Sequence, residues 1–443
     1  MRHRSPELYW RRDCQRRPKI AYPHPSLQWI HSSQKSLVGN RASQPASPHD
    51  LVSANRRRRH LINLTRQHRQ DVMSNTSAWT ITHDFTHSWG GAEKCTEVLA
   101  SHVLPDSSTW VISGNSEVTT RMLPDQASSP TGMLLPVDTA SGRTVRMMTP
   151  LLYPLIRMIP STTDNILASS YALAHLRRTT GLKVIYCHSP FRQIYSGVSD
   201  YFPSNPFAQR LVSILLASFR YLDKKAANEA DVIIATNTIV ADRIREFWGL
   251  DADAVIPPPI DTQSFHPVDA PKRTYFVWVG RIVEPYKRVG LLMDTLRDRP
   301  DLSLLVVGDG RDRLALEATA PSNVTFVGNK TGDELSDLIA NAEALIFPSS
   351  DDFGMVPLEA MAAGTPVIGF SGGGARETVI NGQTGVLFNE PTISSLSDAI
   401  DHFRTIRWDY EAIRSYSLQY GQEGFVEKMR AILKDALFTE KGI

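Results

Sequence analysis

Residues 343–377 read EALIFPSSDDFGMVPLEAMAAGTPVIGFSGGGARE, and this stretch decides the fold. Residues 344–347 are a short apolar run closed by Pro348, Ser349 and Ser350, the pattern of a buried parallel strand ending in a loop. An alanine-rich helix follows from about Pro357, whose missing N–H suits a first helical turn, and Gly364 is its expected stop. Residues 365–370 give the next strand. Such a unit aims a helix N-terminus, with unpaired N–H groups and partial positive charge, at the carboxyl edge of a sheet, where anions bind. Asp351 and Glu359 flank that N-terminus. Carboxylates there repel a phosphate, so they read as acceptors for neutral donors such as sugar and ribose hydroxyls, leaving the backbone N–H groups of Gly354, Met355 and Val356 to the anion. A nucleotide sugar carries both kinds of group. Helix capping and dipole compensation fit the same carboxylates equally well.

The stretch resembles the signature of the large retaining glycosyltransferase family 4, whose members carry two glutamates separated by seven residues. Glu359 matches the second; Asp351 stands where the first is expected and is one methylene shorter. The resemblance implies an α/β protein of GT-B fold, two doubly wound Rossmann-like domains facing a central cleft, that transfers a hexose from a nucleoside diphosphate sugar to an acceptor hydroxyl. It implies that Glu359 holds the ribose hydroxyls, that Asp351 holds the sugar, and that Phe353, Gly354, Met355 and Val356 line the donor site.

Upstream, residues 78–84 read as the first strand, and SWGGAEK at 88–94 as a glycine turn opening a helix to about Val103. Adjacent Gly90 and Gly91 let the backbone approach a ligand that any side chain would exclude. This turn resembles the first glycine loop of family 4 enzymes, which implies that it faces the donor diphosphate; Glu93 reads as a structural residue of the first helical turn. Short apolar runs at 110–112, 165–169, 184–187 and 232–235, each separated by room for a helix, imply a parallel sheet covered on both faces. Residues 235–249 read as a turn and helix, capped by Thr238 and stopped by Gly249. His188 follows a strand in YCHSPFRQIYS, residues 186–196, either as a hydrogen-bonded structural residue or as a group facing a ligand. The resemblance implies the second, near the transferred sugar, and HSPFR with Arg192 looks like the subset that uses GDP-mannose.

VIPPPID at 255–261 stiffens a linker and marks the interdomain hinge. Residues 274–279 then start the second domain and end in GRIVEPYKR, 280–288. Arg281, a planar fork, and Lys287, a point charge, suit the grip of two phosphates, although two basic residues on a loop also fit simple surface solvation. Both match the family motif, which implies the diphosphate role; Arg288 reads as a spare cation. GDGRDR at 308–313 lacks a third glycine at dinucleotide spacing, so no NAD site is read there. The loop NKTGDEL at 329–335 lies where the family places the nucleotide base, making Lys330 and Thr331 base-contact candidates. Gly372, Gly373 and Gly374 read as another close-approach turn and Glu377 as structural. Residues 392–406 read as a surface helix and 420–437 as an amphipathic one, with Phe425, Met429, Ile432 and Leu433 at helical spacing; in GT-B enzymes such a helix often crosses back onto the first domain.

At 443 residues the chain is too long for one ordinary core. The expected division is a basic leader at 1–75, an acceptor domain at 76–257, a nucleotide-sugar domain at 258–418 and a returning helix at 419–443. Residues 1–72 hold 15 Lys and Arg against four acids, whereas the whole chain holds 48 against 46. That leader is expected to be disordered, and four readings of it stand open: a start placed too early with Met73 the true first residue, an organelle presequence, a lipid-binding tail, or a nucleic-acid arm. The acidic remainder argues against nucleic acid as a partner. Cys14, Cys95 and Cys187 are odd in number and widely spaced, which argues against disulfides or zinc and for a reducing, cytoplasmic compartment. No stretch has the roughly 18 apolar residues of a membrane span. MMTPLLYPLIRMIP at 147–160 reads as a core helix or as a peripheral membrane contact. The expected partners are a nucleoside diphosphate sugar donor and a glycan or lipid-linked acceptor. Two cations already face the phosphates and no DxD motif ends a strand, so neither metal nor cofactor is expected. A nucleotide-sugar-binding subunit without turnover, or a sugar phosphorylase, is the alternative.

Overall fold

Runs of β-branched and aromatic residues fall in two groups, each hydrogen-bonded into its own all-parallel sheet. The first comprises β1 (Trp79–Thr86), β2 (Ser108–Gly114), β3 (Gly132–Pro136), β4 (Asn165–Ser170), β5 (Lys183–Cys187), β6 (Val232–Ala235) and β7 (Ala254–Val255), in the order β3-β2-β1-β4-β5-β6-β7. The second comprises β8 (Phe276–Val279), β9 (Leu304–Val307), β10 (Val324–Gly328), β11 (Leu345–Phe347), β12 (Val367–Phe370) and β13 (Gly385–Phe388), in the order β10-β9-β8-β11-β12-β13. Every residue of β4, β5, β11 and β12 is buried, as expected for strands covered by helices on both faces. The computed structural model describes residues 78–123, 132–136, 152–162, 164–195 and 206–440. The basic leader, and the part of the 147–160 stretch before residue 152, lie outside the described residues. Thr76–Ile443 form one compact unit.

Each sheet is entered in its middle, wound outward to one edge, then resumed on the other side of the first strand. The reversal falls between β1 and β4 in one lobe and between β8 and β11 in the other. Loops leaving neighbouring strands diverge there and open a crevice at the carboxyl edge. Asp84, near the end of β1, is fully buried and accepts from the backbone N–H groups of Tyr171, Ala172, Leu173 and Ala174 at 2.5–2.8 Å, which fixes the loop that leaves β4.

Helix α1 (Gly91–Val98) follows β1, but widens into a π-helical turn over Leu99–Val103 rather than running on as regular helix. The long helix α2 (Pro206–Ala227) occupies the helix-length gap that the sequence leaves between β5 and β6, whereas strands β3 and β13 have no counterpart in the sequence reading. Helix α3 (Thr238–Arg243) is capped by Asn237, whose side chain accepts from Val240 N at 2.8 Å, and not by Thr238. The Thr238 hydroxyl is turned to Glu377 instead, at 2.6 Å. Of the stretch 147–160, residues 152–158 are helical, with Leu152, Tyr153 and Ile156 buried and Leu155 and Met158 exposed.

The chain passes between the lobes twice. Beyond the proline segment, Ile260 donates to Tyr420 O at 3.0 Å and bridges to Gly421, so residues 419–421 run beside the outgoing strand. Helix α4 (Gln422–Glu440) then packs Phe425, Met429, Leu433 and Ala436 into the core formed by Trp79, Ile81, Leu99 and Tyr186 of the first lobe. Met429 is completely buried there. Met429→Ala is expected to destabilise the chain by about 2 to 5 kcal/mol, as for other large-to-small core changes, read as a lowered denaturation midpoint.

Candidate functional site

β8 and β11 are hydrogen-bonded neighbours, so the loops that leave them, 280–288 and 348–354, lie side by side. Lys287 Nζ sits 2.6 Å from Asp351 Oδ2, an oxygen that also accepts from Ser349 Oγ at 3.0 Å. Two residues assigned separate ligand roles from sequence are therefore partners of one another. Burial beside Asp351 and Asp352 pushes the Tyr286 hydroxyl up from its ordinary value. Arg288 is not a spare cation: it donates to Pro348 O at 2.7 Å and stacks over Phe370 at 4.6 Å, bracing the neighbouring loop.

The helix after this loop begins at Met355, two residues before Pro357, and runs Met355–Ala362. Gly354 precedes it with φ +77°, and a Cβ there would stand 2.9 Å from Phe347 Cζ, so both conformation and space select glycine. No side chain caps this helix. Glu359 lies one turn in and is only 4% exposed. The triple glycine 372–374 makes room for the chain's own backbone: a Cβ on Gly374 would lie 2.1 Å from Phe353 O, and Gly374 N donates to Asp351 O at 2.7 Å. It supports the acidic loop from beneath.

The first lobe closes over this edge. Arg281 Nη1 donates to Ser88 Oγ of the glycine turn at 3.2 Å, and a Cβ on Gly91 would stand 2.8 Å from Met355 Sδ. A Cβ on Gly90 would meet Glu93 Oε2 at 3.0 Å. Lys94 Nζ reaches Glu359 Oε1 at 2.7 Å. Arg192 lies 3.2 Å from Asp352 Oδ1, and Arg243 donates to the same oxygen. Asn237 Nδ2 donates to Asp352 O, so the residue that caps α3 also grips the acidic loop. Asp351 and Asp352 thus face different partners.

Gly90, Gly91, Arg192, Arg281, Lys287, Asp351, Phe353, Gly354, Met355, Val356 and Glu359 accordingly belong to one seam or to the loops that form it. Lys330 and Thr331 are not brought into polar contact with them: Lys330, two residues before the helix Gly332–Ala340, pairs with Glu334 in its first turn, and Thr331 sits at that helix's N-terminus without capping it. Sequence reasoning missed Ser88, Lys94, Asn237 and Arg243. Ser88 and Lys94 stand at the two ends of the quoted glycine turn; Asn237 and Arg243 carry no local signal.

Residues 260–419 match the family model described as glycosyl transferases group 1. A D-inositol 3-phosphate glycosyltransferase of Nocardia farcinica is 29% identical over 248 residues, covering 48% of this chain and 55% of that protein. One from Mycobacterium bovis is 29% identical over 203 residues, covering 41% and 42% respectively. The chain spans about half the length of these curated relatives. Among solved structures, Anabaena Alr3699/HepE in complex with UDP-glucose superposes with a TM-score of 0.59 at 17% identity, over 81% of this chain and 99% of that one. Sucrose-phosphate synthase from Thermosynechococcus elongatus gives 0.55 at 19%, over 82% and 98%.

The fold is GT-B.

On the first-lobe side of the GT-B cleft, His188 follows β5. Its Nε2 lies 2.9 Å from Ser169 Oγ, its ring stands edge-on to Tyr186 at 5.1 Å, and its recorded hydrogen bonds stay within its own lobe. Burial, and then the neighbouring His83, push it down to about 3, so it is a neutral imidazole near pH 7. Among the described residues no helix is long and apolar enough to cross a membrane.

The seam is therefore ionic, and Glu359 is its most desolvated member. Lys94→Met removes the Lys94 ammonium from an otherwise buried carboxylate. Thermal or urea unfolding should show a loss of about 1 to 3 kcal/mol, the desolvation cost of leaving such a group unpaired.

Proposed function

We propose that this chain is a retaining glycosyltransferase moving a hexose from a nucleoside diphosphate sugar to an acceptor hydroxyl. The observation that carries the reading is the convergence, at the β8/β11 reversal, of Arg281 on Ser88, Lys287 on Asp351, an uncapped helix N-terminus whose Met355 lies against Gly91, and the buried Glu359 on Lys94. Charge grows on the departing diphosphate during transfer, and preorganised cations and N–H groups aimed at it supply the stabilisation. In this reading the ribose hydroxyls take the place of Lys94 on Glu359, while the diphosphate draws Lys287 off Asp351 and releases that carboxylate to the sugar. Closure of the two lobes then excludes the water that would otherwise hydrolyse the donor.

Mannose from GDP-mannose is the preferred donor, on the HSPFR stretch with Arg192 and on DDFG. The solved UDP-glucose complex of a protein with this fold makes UDP-sugars the competing class. The acceptor is a glycan or a lipid-linked hydroxyl compound. One observation favours a second reading, a nucleotide-sugar-binding subunit without turnover: Asp351, which stands for a longer glutamate, is already neutralised by Lys287.

Thermal-shift titration with GDP, UDP and ADP, then with their sugars, tests the donor assignment. GDP and GDP-mannose are expected to give the largest stabilisation. Lys287→Ala should weaken binding by about tenfold or more, the scale of one charge-assisted hydrogen bond. Glu359→Ala retaining wild-type nucleotide stabilisation would remove the ribose role. Donor binding with no nucleotide released, whichever acceptor is supplied, would support the binding-subunit reading. Transfer is expected to persist in excess EDTA; activity lost there and restored by manganese would replace the cationic clamp with a metal.

A further inference from the structure

Behind His188 lies a buried polar chain that none of the roles above uses. Ser169 Oγ contacts His188 Nε2 at 2.9 Å, Thr96 Oγ1 at 2.8 Å and His83 Nδ1 at 3.2 Å. Thr96 Oγ1 contacts His83 Nδ1 at 3.0 Å and donates to Ala92 O at 2.9 Å. His83 Nδ1 also lies 3.2 Å from Ser169 O, and Glu93 Oε1 stands 3.7 Å beyond its Nε2. His83, Thr96 and Ser169 are completely buried, so no solvent enters the accounting.

Each hydroxyl has one proton to give. A carbonyl only accepts, so Thr96 spends its proton on Ala92 O and can only accept from its other neighbours. Ser169 therefore donates to Thr96. With its single proton used, Ser169 accepts from His188, which must carry the proton on Nε2. His83 is a donor at Nδ1, because Ser169 O can only accept. This assignment accounts for the Ala92, Thr96, Ser169 and His188 contacts together, with the one Nδ1 proton of His83 shared among Thr96 Oγ1, Ser169 O and Ser169 Oγ and its Nε2 left unpaired; reversing the Ser169–His188 bond makes Thr96 give up Ala92. No recorded protein partner within the described residues meets His188 Nδ1, and that atom is not among the buried unpaired ones.

We propose that Thr96, Ser169 and His83 are positioning residues that hold His188 as its Nε2–H tautomer, presenting a bare Nδ1 as hydrogen-bond acceptor to a hydroxyl of the transferred sugar. The tautomer part stands on the contacts alone; the sugar part rests on the glycosyltransferase reading. The Nδ1 atom selects a hydroxyl donor over a carbonyl or carboxylate acceptor at that place, so the histidine discriminates among substituents of the sugar without transferring a proton.

The test uses the full chain with 15N-labelled histidine, the His188 signals being identified by their loss in His188→Gln. Near pH 7 in the wild type, Nε2 is expected to resonate as the protonated nitrogen and Nδ1 as the bare one. Thr96→Val keeps the shape but removes the acceptor of the Ser169 proton, so Ser169 should donate to His188 and the tautomer should invert. Thr96→Ser should restore it, which separates the effect from misfolding. The inversion is expected to lower kcat/KM for sugar transfer by about tenfold, the scale of one hydrogen bond, with nucleoside diphosphate affinity unchanged. A wild-type Nδ1–H tautomer, or a Thr96→Val tautomer identical to wild type, overturns the proposal. The expected tautomers in a chain that transfers no sugar would instead overturn the glycosyltransferase reading and leave the positioning chain standing.

Discussion

A carboxylate taken out of water needs either a full set of hydrogen-bond donors or a counter-charge, and Glu359 finds a counter-charge in the other lobe, on Lys94. Asp352 is served in the same way by Arg192 and Arg243. These pairs set how the two sheets face one another. An interface held by charge-assisted bonds along a partly wet seam differs from a fused apolar core: its groups can exchange one another for water or for the polar groups of a ligand at small net cost. The seam is thus stable when empty and still replaceable, bond for bond, by something rich in hydroxyls and negative oxygen.

The buried acids of the first lobe make the contrast. Asp84 is satisfied by four backbone N–H groups, and Asp223 by Tyr153, Tyr195 and Trp248 with the His175 ring 3.1 Å away, all within the same lobe. Those carboxylates order loops and helices and have nothing left to offer. Glu359 and Asp352 draw their side-chain partners from across the cleft, so their satisfaction depends on how the lobes stand. Burial alone does not separate the two kinds; where the donors come from does.

Much of this architecture was legible in the sequence because it is local. The strand, loop, helix, strand unit around Gly354 follows from an apolar run, a proline and two glycines, and the alternation of short apolar runs with helix-length gaps gives the parallel sheets. The two-residue strand β7 is too short for any periodicity to show, and β13 is a four-residue run no different from many loops. The pairings were not legible. Lys94 and Glu359 are 265 positions apart, and Arg243 and Asp352 are 109 apart, so no spacing rule links them. Lys287 and Asp351 were both singled out, but as separate binders; only the adjacency of β8 and β11 shows that each answers the other. The triple glycine at 372–374 signals close approach without saying what approaches, and here it is the chain's own backbone.

The path of the terminal helix bears on synthesis. Phe425, Met429, Leu433 and Ala436 complete a core whose other members begin at Trp79, with the entire second sheet encoded in between. As the chain emerges, the first lobe waits with an open apolar trough while its neighbour can already fold, the reverse of the usual order in which the earlier domain finishes first. Until residues 422–440 have cleared the ribosome, the trough on the first lobe stays uncovered.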